Sequence, residues 1–418
     1  MMLLIAVFVS LVFLYSLVSR RLERTILTAP ILFAAAGALV AASPGALAGL
    51  ELDRHGLLLV AELGLVMLLF TDASRVAPRL LRGRPNLPVR LLSVGMLLTI
   101  ALGALCALVL FGTLTWWEAG ILAAILAPTD AGLGQVIVNS PLVPQRIRQA
   151  LNVEAGLNDG LSVPFLMFFV ALATTQSNAG GGGVLTRFLV EQLGFGTLIG
   201  LGIGLAGGWM LNLARRKEWM AAPLTQLGVV ALPLACVLAS EASGASMFIA
   251  AFVAGLATQA GFRDVGQHSV EFTEDWGQLL NFFVFFLFGG FVARAWADFD
   301  AAIAAYAILS LTLVRMLPVA IALRGTGLAP STVLFMGWFG PRGLASIVLG
   351  LVYLEKETSL PGESTIRLAV MATVLLSIVA HGLSALPGIG RYAAAASALK
   401  SDAPEHQAPD HGAPSGHG

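Results

Sequence analysis

Long apolar stretches of about 20 residues, separated by short polar breaks, recur along the whole chain. They fall near residues 2–18, 26–43, 57–74, 87–111, 117–138 and 147–175. After a Gly-rich run near 187–212 they resume near 221–239, 243–259, 277–294, 299–323, 328–354 and 363–386. Runs of this length cross a bilayer as helices, and none shows the shorter alternating pattern of an outer-membrane barrel. Counting the Gly-rich run, the pattern predicts an all-α membrane protein of 13 transmembrane helices. The first stretch, residues 1–19, has no basic leader and is followed by Arg20, Arg21 and Arg24, so it reads as a retained helix instead of a signal peptide.

Lys and Arg in alternate connections set the orientation. With the N-terminus outside, the cytoplasmic segments hold 17 basic residues and the opposite side 5, so the pattern predicts N-out and C-in in the cell (inner) membrane. The remaining two, Arg315 and Arg342, fall inside spans. The expected organisation is a transmembrane domain over 1–390, with repeat one about 1–175, a linker helix about 187–212 and repeat two about 221–386. A short cytoplasmic tail, 391–418, is expected to be disordered, because from Ser401 it is rich in Pro, Gly and His and too polar to pack. Its His406, His411 and His417 read as solvated.

Composition sharpens this picture. Of 418 residues, 57% are hydrophobic and 11% charged, with a mean hydropathy of +0.85. Soluble domains carry about 25% charged residues, so a soluble enzyme is excluded. Basic and acidic residues balance at 24 each, which leaves no basic excess for nucleic acid. Cys106 and Cys236 lie in apolar runs and give neither a disulfide framework nor a zinc site. No cofactor is expected.

A charge at mid-bilayer costs at least about 2.5 kcal/mol on insertion scales, so each one marks a candidate site. Six qualify by depth: Glu62, Asp130, Glu154, Asp159, Arg315 and Arg342. Asp72 sits at a span edge beside Arg75, and Arg187 and Glu191 form an i,i+4 pair; interfacial pairing accounts for these.

Two spans break their own helices. In LAPTDAGLG, Pro128 removes an N–H and Gly132 and Gly134 weaken the next turn; in GWFGPRGLAS, Gly337, Gly340, Pro341 and Gly343 do the same around Arg342. The breaks lie in spans 5 and 12, the fifth element of each six-span half. Paired interruptions of this kind point to an inverted-repeat transporter whose ion site lies where unwound helices 5 and 12 cross.

The string LNVEAGLNDGLSVP, preceded by APTD and followed by GPRG, resembles the sodium/proton antiporters of the NhaP and eukaryotic exchanger type, the first family of monovalent cation/proton antiporters. The resemblance covers the membrane region and implies the NhaA-like antiporter fold and a homodimer. It implies that Asp159 carries the cation and proton, that Thr129 and Asp130 are ligands on the unwound helix, and that Glu62 helps to close the site. It also implies an ion pair between Glu154 and Arg315 that braces span 6 against span 11. Many members have Ser after the glutamate, where this chain has Ala155.

The residues support that chemistry on their own. Na+, Li+ and K+ prefer hard oxygen ligands of the kind that Thr129, Asp130, Asp159 and Glu62 offer. A carboxylate in a partly dry cavity holds a proton readily, so H+ and a cation compete for one anionic site. Asn158 cannot titrate but can hydrogen-bond within the site, and no Lys lies mid-membrane, so exchange of one cation for one proton is expected. Arg342 is either a second partner for Glu154 or a cation facing half-helix C-termini. Gly196, Gly200, Gly204 and Gly208 permit close helix approach, either within the chain or across a homodimer. An acidic loop with Glu271, Glu274 and Asp275 could draw cations inward. A passive channel would use the same oxygens without needing inverted broken helices, and a proton-coupled carrier of another small solute is the weaker alternative.

Overall fold

The computed structural model describes residues 2–22, 25, 27–42, 54–75, 87–177, 189–262, 267–355 and 360–407. The described residues form helices and the turns between them. Among the described residues, eight helices are long and apolar enough to cross a membrane, and four shorter helices are also apolar.

The first half comprises α1 (Met2–Leu22), α2 (Ala29–Ala42), α3 (Arg54–Arg75) and α4 (Leu87–Leu110), the last with a π turn at Leu91–Gly95. Next come the short α5 (Trp116–Ile125) and α6 (Ala131–Val138), then α7 (Gln145–Ser177). After a π turn at Leu189–Phe195 come α8 (Gly196–Arg216), α9 (Ala222–Ser243), α10 (Met247–Gly261), α11 (Gln267–Ala295) and α12 (Ala301–Ala322). The chain closes with α13 (Pro330–Trp338), α14 (Leu344–Glu355) and α15 (Glu363–Ser397).

The helices sort into two groups by packing. α2, α3, α8, α9, α10 and α11 pack on one another, and α4 to α7 pack with α12 to α15. The groups meet where α3, α10 and α11 face α7 and α14. Within the first group the four spaced glycines of α8 are all buried against α10. A Cβ at Gly200 would stand 2.5 Å from the Ala250 carbonyl, and Gly204 and Gly208 sit as tightly on Ala254 and Thr258. The stripe is therefore filled from within the chain, which resolves the two readings that it left open. Leu198, Trp209 and Met210 on the same helix are exposed.

Three expectations change. The last span does not end near 386 but continues as helix to Ser397. The segment after it is not wholly disordered: Pro404–His406 form a 3-10 turn whose Glu405 is buried at 1% exposure. One anchored side chain outweighs the polar composition that predicted a solvated tail. Residues 408–418, with His411 and His417, lie outside the described residues, as does Arg187. The acidic segment 271–275 belongs to helix α11 and is not a loop; its side chains lie outside the described set.

Candidate functional site

The second helix group is organised around two chain breaks. α5 ends at Ile125 and α6 starts at Ala131, because Pro128 cannot donate to the preceding turn. α13 ends at Trp338 and α14 starts at Leu344 around Pro341 in the same way. The two unwound segments touch: Asp130 N–H donates to the Pro341 carbonyl at 2.8 Å. Backbone groups freed from one broken helix are thus satisfied by the other, as a low-dielectric interior requires.

Asp130 occupies the centre of this crossing. Its Oδ1 accepts from Leu133 N at 2.8 Å and its Oδ2 from Leu344 N at 2.6 Å, so one carboxylate caps α6 and α14 together. Helix N-termini carry partial positive charge, and a shared anion there holds both ends in place. The side chain expected to offer its oxygens to the cation thus also has a capping role. Gly343 is required by the close approach, since a Cβ there would land on the Asp130 carboxylate.

The opposite ends of the half-helices meet donors. Arg342, fully buried, donates Nη1–H to the Ala127 and Pro128 carbonyls at 2.8 and 3.0 Å, beyond the C-terminus of α5. Of its two readings, the structure places it on half-helix carbonyls and not on Glu154. His381 sets its Nε2 2.8 Å from the Trp338 carbonyl at the end of α13. Its Nδ1 lies 3.2 Å from Ser377 Oγ, which accepts from Arg342 N at 2.6 Å. Sequence reasoning passed over Ser377 and His381, although two polar residues one helical turn apart in an apolar span are a readable signal.

α7 brings the remaining candidates to the crossing. Glu154, Asn158 and Asp159 are all buried. Arg315 on α12 donates to both oxygens of Glu154, at 2.5 and 2.9 Å, a bidentate pair that holds α7 to α12. Asn158 Nδ2 donates to Thr129 Oγ1 at 2.6 Å. Asn158 Oδ1 and Asp159 Oδ1 are buried oxygens with no hydrogen-bond partner among the described residues. Asp159 interacts electrostatically with Asp130, Asp72 and Arg342.

On α3 the acid that interacts with Asp159 is Asp72, which its span-edge position disguised. Asp72 packs beside α7, 3.4 Å from where a Cβ on Gly156 would stand. Glu62 lies ten residues earlier, about 15 Å along the same helix axis, where neighbouring Gly64 packs on Leu280 of α11. Glu62 and Asp72 both have partners of their own. Asn281 of α11 also reaches the crossing, its Nδ2 3.3 Å from a Cβ built on Gly132.

A small cleft lined by Thr129, Asp130, Ala155, Phe339 and Pro341 also touches Asn152, which is exposed near the start of α7. Hard oxygens and one uncommitted carboxylate oxygen suit a small cation or a proton. Among the described residues no His/Cys/Asp/Glu cluster suits a resident transition metal.

Comparison with known proteins agrees with this architecture. The family described as sodium/hydrogen exchanger, transmembrane, matches residues 6–387. An Na(+)/H(+) antiporter of Schizosaccharomyces pombe is 28% identical over 314 residues, covering 66% of this chain and 65% of the relative. An Na(+)/H(+) antiporter 2 of Zygosaccharomyces rouxii is 25% identical, covering 65% of this chain and 38% of the relative. The K(+)/H(+) antiporter NhaP2 of Shewanella baltica is 24% identical, covering 78% and 56%. The chain thus spans 38% to 65% of the length of these relatives. The solved sodium proton antiporter MjNhaP1 from Methanocaldococcus jannaschii shares the fold with a TM-score of 0.72 at 20% identity, over 94% of this chain and 99% of that one. With broken helices crossing at a capped carboxylate and a family match over nearly the whole membrane region, this integral, multi-pass chain belongs to the sodium/hydrogen exchanger family.

Proposed function

We propose that the chain is a secondary active antiporter that exchanges a monovalent cation, Na+ or else Li+ or K+, for H+ by alternating access. The observation that carries the reading is the charge inventory at the crossing. Glu154 is neutralised by Arg315, Asp130 is pinned by two helix N-termini, and Arg342 sits on carbonyls. That leaves Asp159 with an uncommitted buried oxygen.

Asp159 then binds either a proton or a cation, and the same loaded charge crosses in both directions. Thr129, Asn158 Oδ1 and Asp72 are the further oxygens assigned to the cation, with Asp72 taking the place expected of Glu62. Asp130 acts by fixing the half-helices. Where many relatives offer a Ser hydroxyl, Ala155 offers none, so another oxygen or a water completes the shell. We assign the cleft to the cytoplasmic side, which makes this an inward-facing arrangement.

On the same proposal, the 13 spans form two inverted six-helix repeats about the linker α8, in the cell membrane, N-out and C-in, as a homodimer. Because α10 covers the glycine stripe, a partner copy has to use another apolar face. Purified protein in sodium-loaded vesicles carrying a pH dye tests the proposal: cation-dependent alkalinisation or acidification supports it, and flux indifferent to the pH gradient favours a channel.

A further inference from the structure

The two half-helices that lead into the crossing are capped differently at their outer ends. α5 obeys a local rule: Thr115 is its N-cap, and Glu118 Oε2 accepts from Thr115 N and Oγ1, each at 2.8 Å, while Glu118 N donates back to Thr115 Oγ1. Glu118 is buried, and its Oε1 accepts from Gly362 N, the N-cap of α15, at 2.7 Å. α13 has none of this. Its N-cap is Ala329, its next residues are Pro330, Ser331 and Thr332, and its first turn holds no acid.

A carboxylate nevertheless sits there, delivered from 76 residues beyond Ala329 in the chain. Glu405 Oε1 accepts from Ala329 N at 2.7 Å and from Thr332 Oγ1 at 2.8 Å. Thr332 Oγ1 also lies 3.1 Å from the Tyr392 hydroxyl, and Tyr392 stacks on Phe335 of α13 at 4.1 Å between centroids. The turn carrying Glu405 is itself held. Arg146 in the first turn of α7 donates to the Pro404 carbonyl at 2.6 Å and to Gln407 Oε1 at 3.2 Å, and His406 Nε2 lies 3.2 Å from the Ala396 carbonyl of α15. Pro404 rests against Gly327, one of two left-handed glycines that shape the turn before α13.

We infer that Glu405 is a positioning residue for exchange: it is a remote N-cap that fixes α13, and with Arg146 it ties α13 to α7, the helix that carries Asp159. The argument is one of leverage. α13 has only nine residues, and its far end hands directly to the unwound segment whose Pro341 carbonyl binds Asp130 N. A helix this short has little intrinsic stability and depends on its caps. Loss of the Glu405 carboxylate frees the Ala329 end, and the displacement reaches the crossing within about 15 Å. Glu405 touches neither Asp159 nor the cleft, so its effect passes entirely through α13.

The inference is tested in the full-length chain with E405A, E405Q and the triple variant E405A/A329T/T332E, which gives α13 the Thr-and-Glu box of α5. Its transport arm rests on the exchange proposed above. The expected result is a rise of about fivefold in apparent KM for Na+ in E405A, the scale of losing one helix cap, with the maximal rate within about twofold. E405Q, which keeps an acceptor oxygen, falls between, and the triple variant returns towards wild type. An unchanged KM in E405A overturns the inference, as does a lowered melting temperature with unchanged KM, which would mean a structural staple only. If E405A does not assemble, E405Q decides by the same criterion. If the wild-type chain shows no exchange, the functional proposal fails while the clasp is still decided by amide hydrogen exchange at Ser331–Val333: faster exchange in E405A or E405Q supports it, and equal rates overturn it.

Discussion

Asn158 donates its side-chain amide to the hydroxyl of Thr129, binding the residue before Asp159 to the unwound segment between α5 and α6. The bond leaves the Asn158 carbonyl oxygen, like one Asp159 carboxylate oxygen, buried and without a hydrogen-bond partner among the described residues. A residue that cannot titrate thus fixes the geometry around one that can.

Asp159→Asn is expected to abolish cation-dependent proton flux in vesicles while the protein still inserts and elutes as a folded species. The amide keeps the volume but carries neither a proton nor a cation. Near-normal flux in this variant would remove Asp159 from the role.

Glu154 and Arg315 should behave as one unit. Breaking a buried pair from one side costs about 3 to 5 kcal/mol, because the other charge is left stranded. Thermal stability in detergent of Glu154→Gln, Arg315→Met and the double variant is expected to show strong non-additivity, the double losing less than the sum of the singles. Additive losses would mean that the bidentate contact is not energetically coupled.

Asp130 and Gly343 are predicted to be coupled in the same sense. Asp130→Ala removes the cap of two helices at once, worth about 1 to 2 kcal/mol for each. Gly343→Ala drives a methyl into that carboxylate. Either change alone should lower the melting temperature and the cation affinity, and combining them should add little further loss.

Asp72 and Glu62 separate the structural reading of α3 from the sequence reading. Asp72→Asn should raise the cation concentration needed for half-maximal exchange, whereas Glu62→Gln should leave it within about twofold, since ten helical residues set the two carboxylates about 15 Å apart. The reverse outcome would restore Glu62 to the site.

Exchange should be indifferent to voltage. Each uncompensated charge moved would feel about 2.3 kcal/mol per 100 mV. Clamping vesicles with a potassium ionophore is expected to leave the sodium-driven proton rate unchanged. A steady current on solid-supported membranes would instead reveal a second titrating group, with Asp72 the first to test.

Much of the crossing was legible because it is written in residues with a strong backbone effect. Pro128 and Pro341 remove donors, their neighbouring glycines loosen what remains, and both lie in apolar runs where a break is costly. Depth along a span likewise singled out Glu154, Asp159 and Arg315. What could not be read was azimuth and reach. Whether Asp72 or Glu62 faces Asp159 depends on the tilt of α3 against α7, which the hydropathy of α3 does not encode. The capping role of Asp130 was not readable, because the two amide groups that converge on it do so only in three dimensions. Glu405 was hidden by averaging: a polar composition describes a segment, not the one side chain that docks.

The glycine seam between α8 and α10 has a mechanical consequence. There, carbonyls of one helix nest in notches spaced one turn apart on the other, so a slip smaller than a full notch would force Cα atoms into carbonyl oxygens. The pair therefore behaves as a stiff plate. Across the plane where this plate meets the crossing group, α7 presents Gly156 and Gly160 to the side chains of Asp72 and Phe252, and side chains can change rotamer where backbone cannot. Compliance is thus concentrated along that plane, beside Asp159, and a rigid bearing surface flanks the element that moves in the alternating access proposed above.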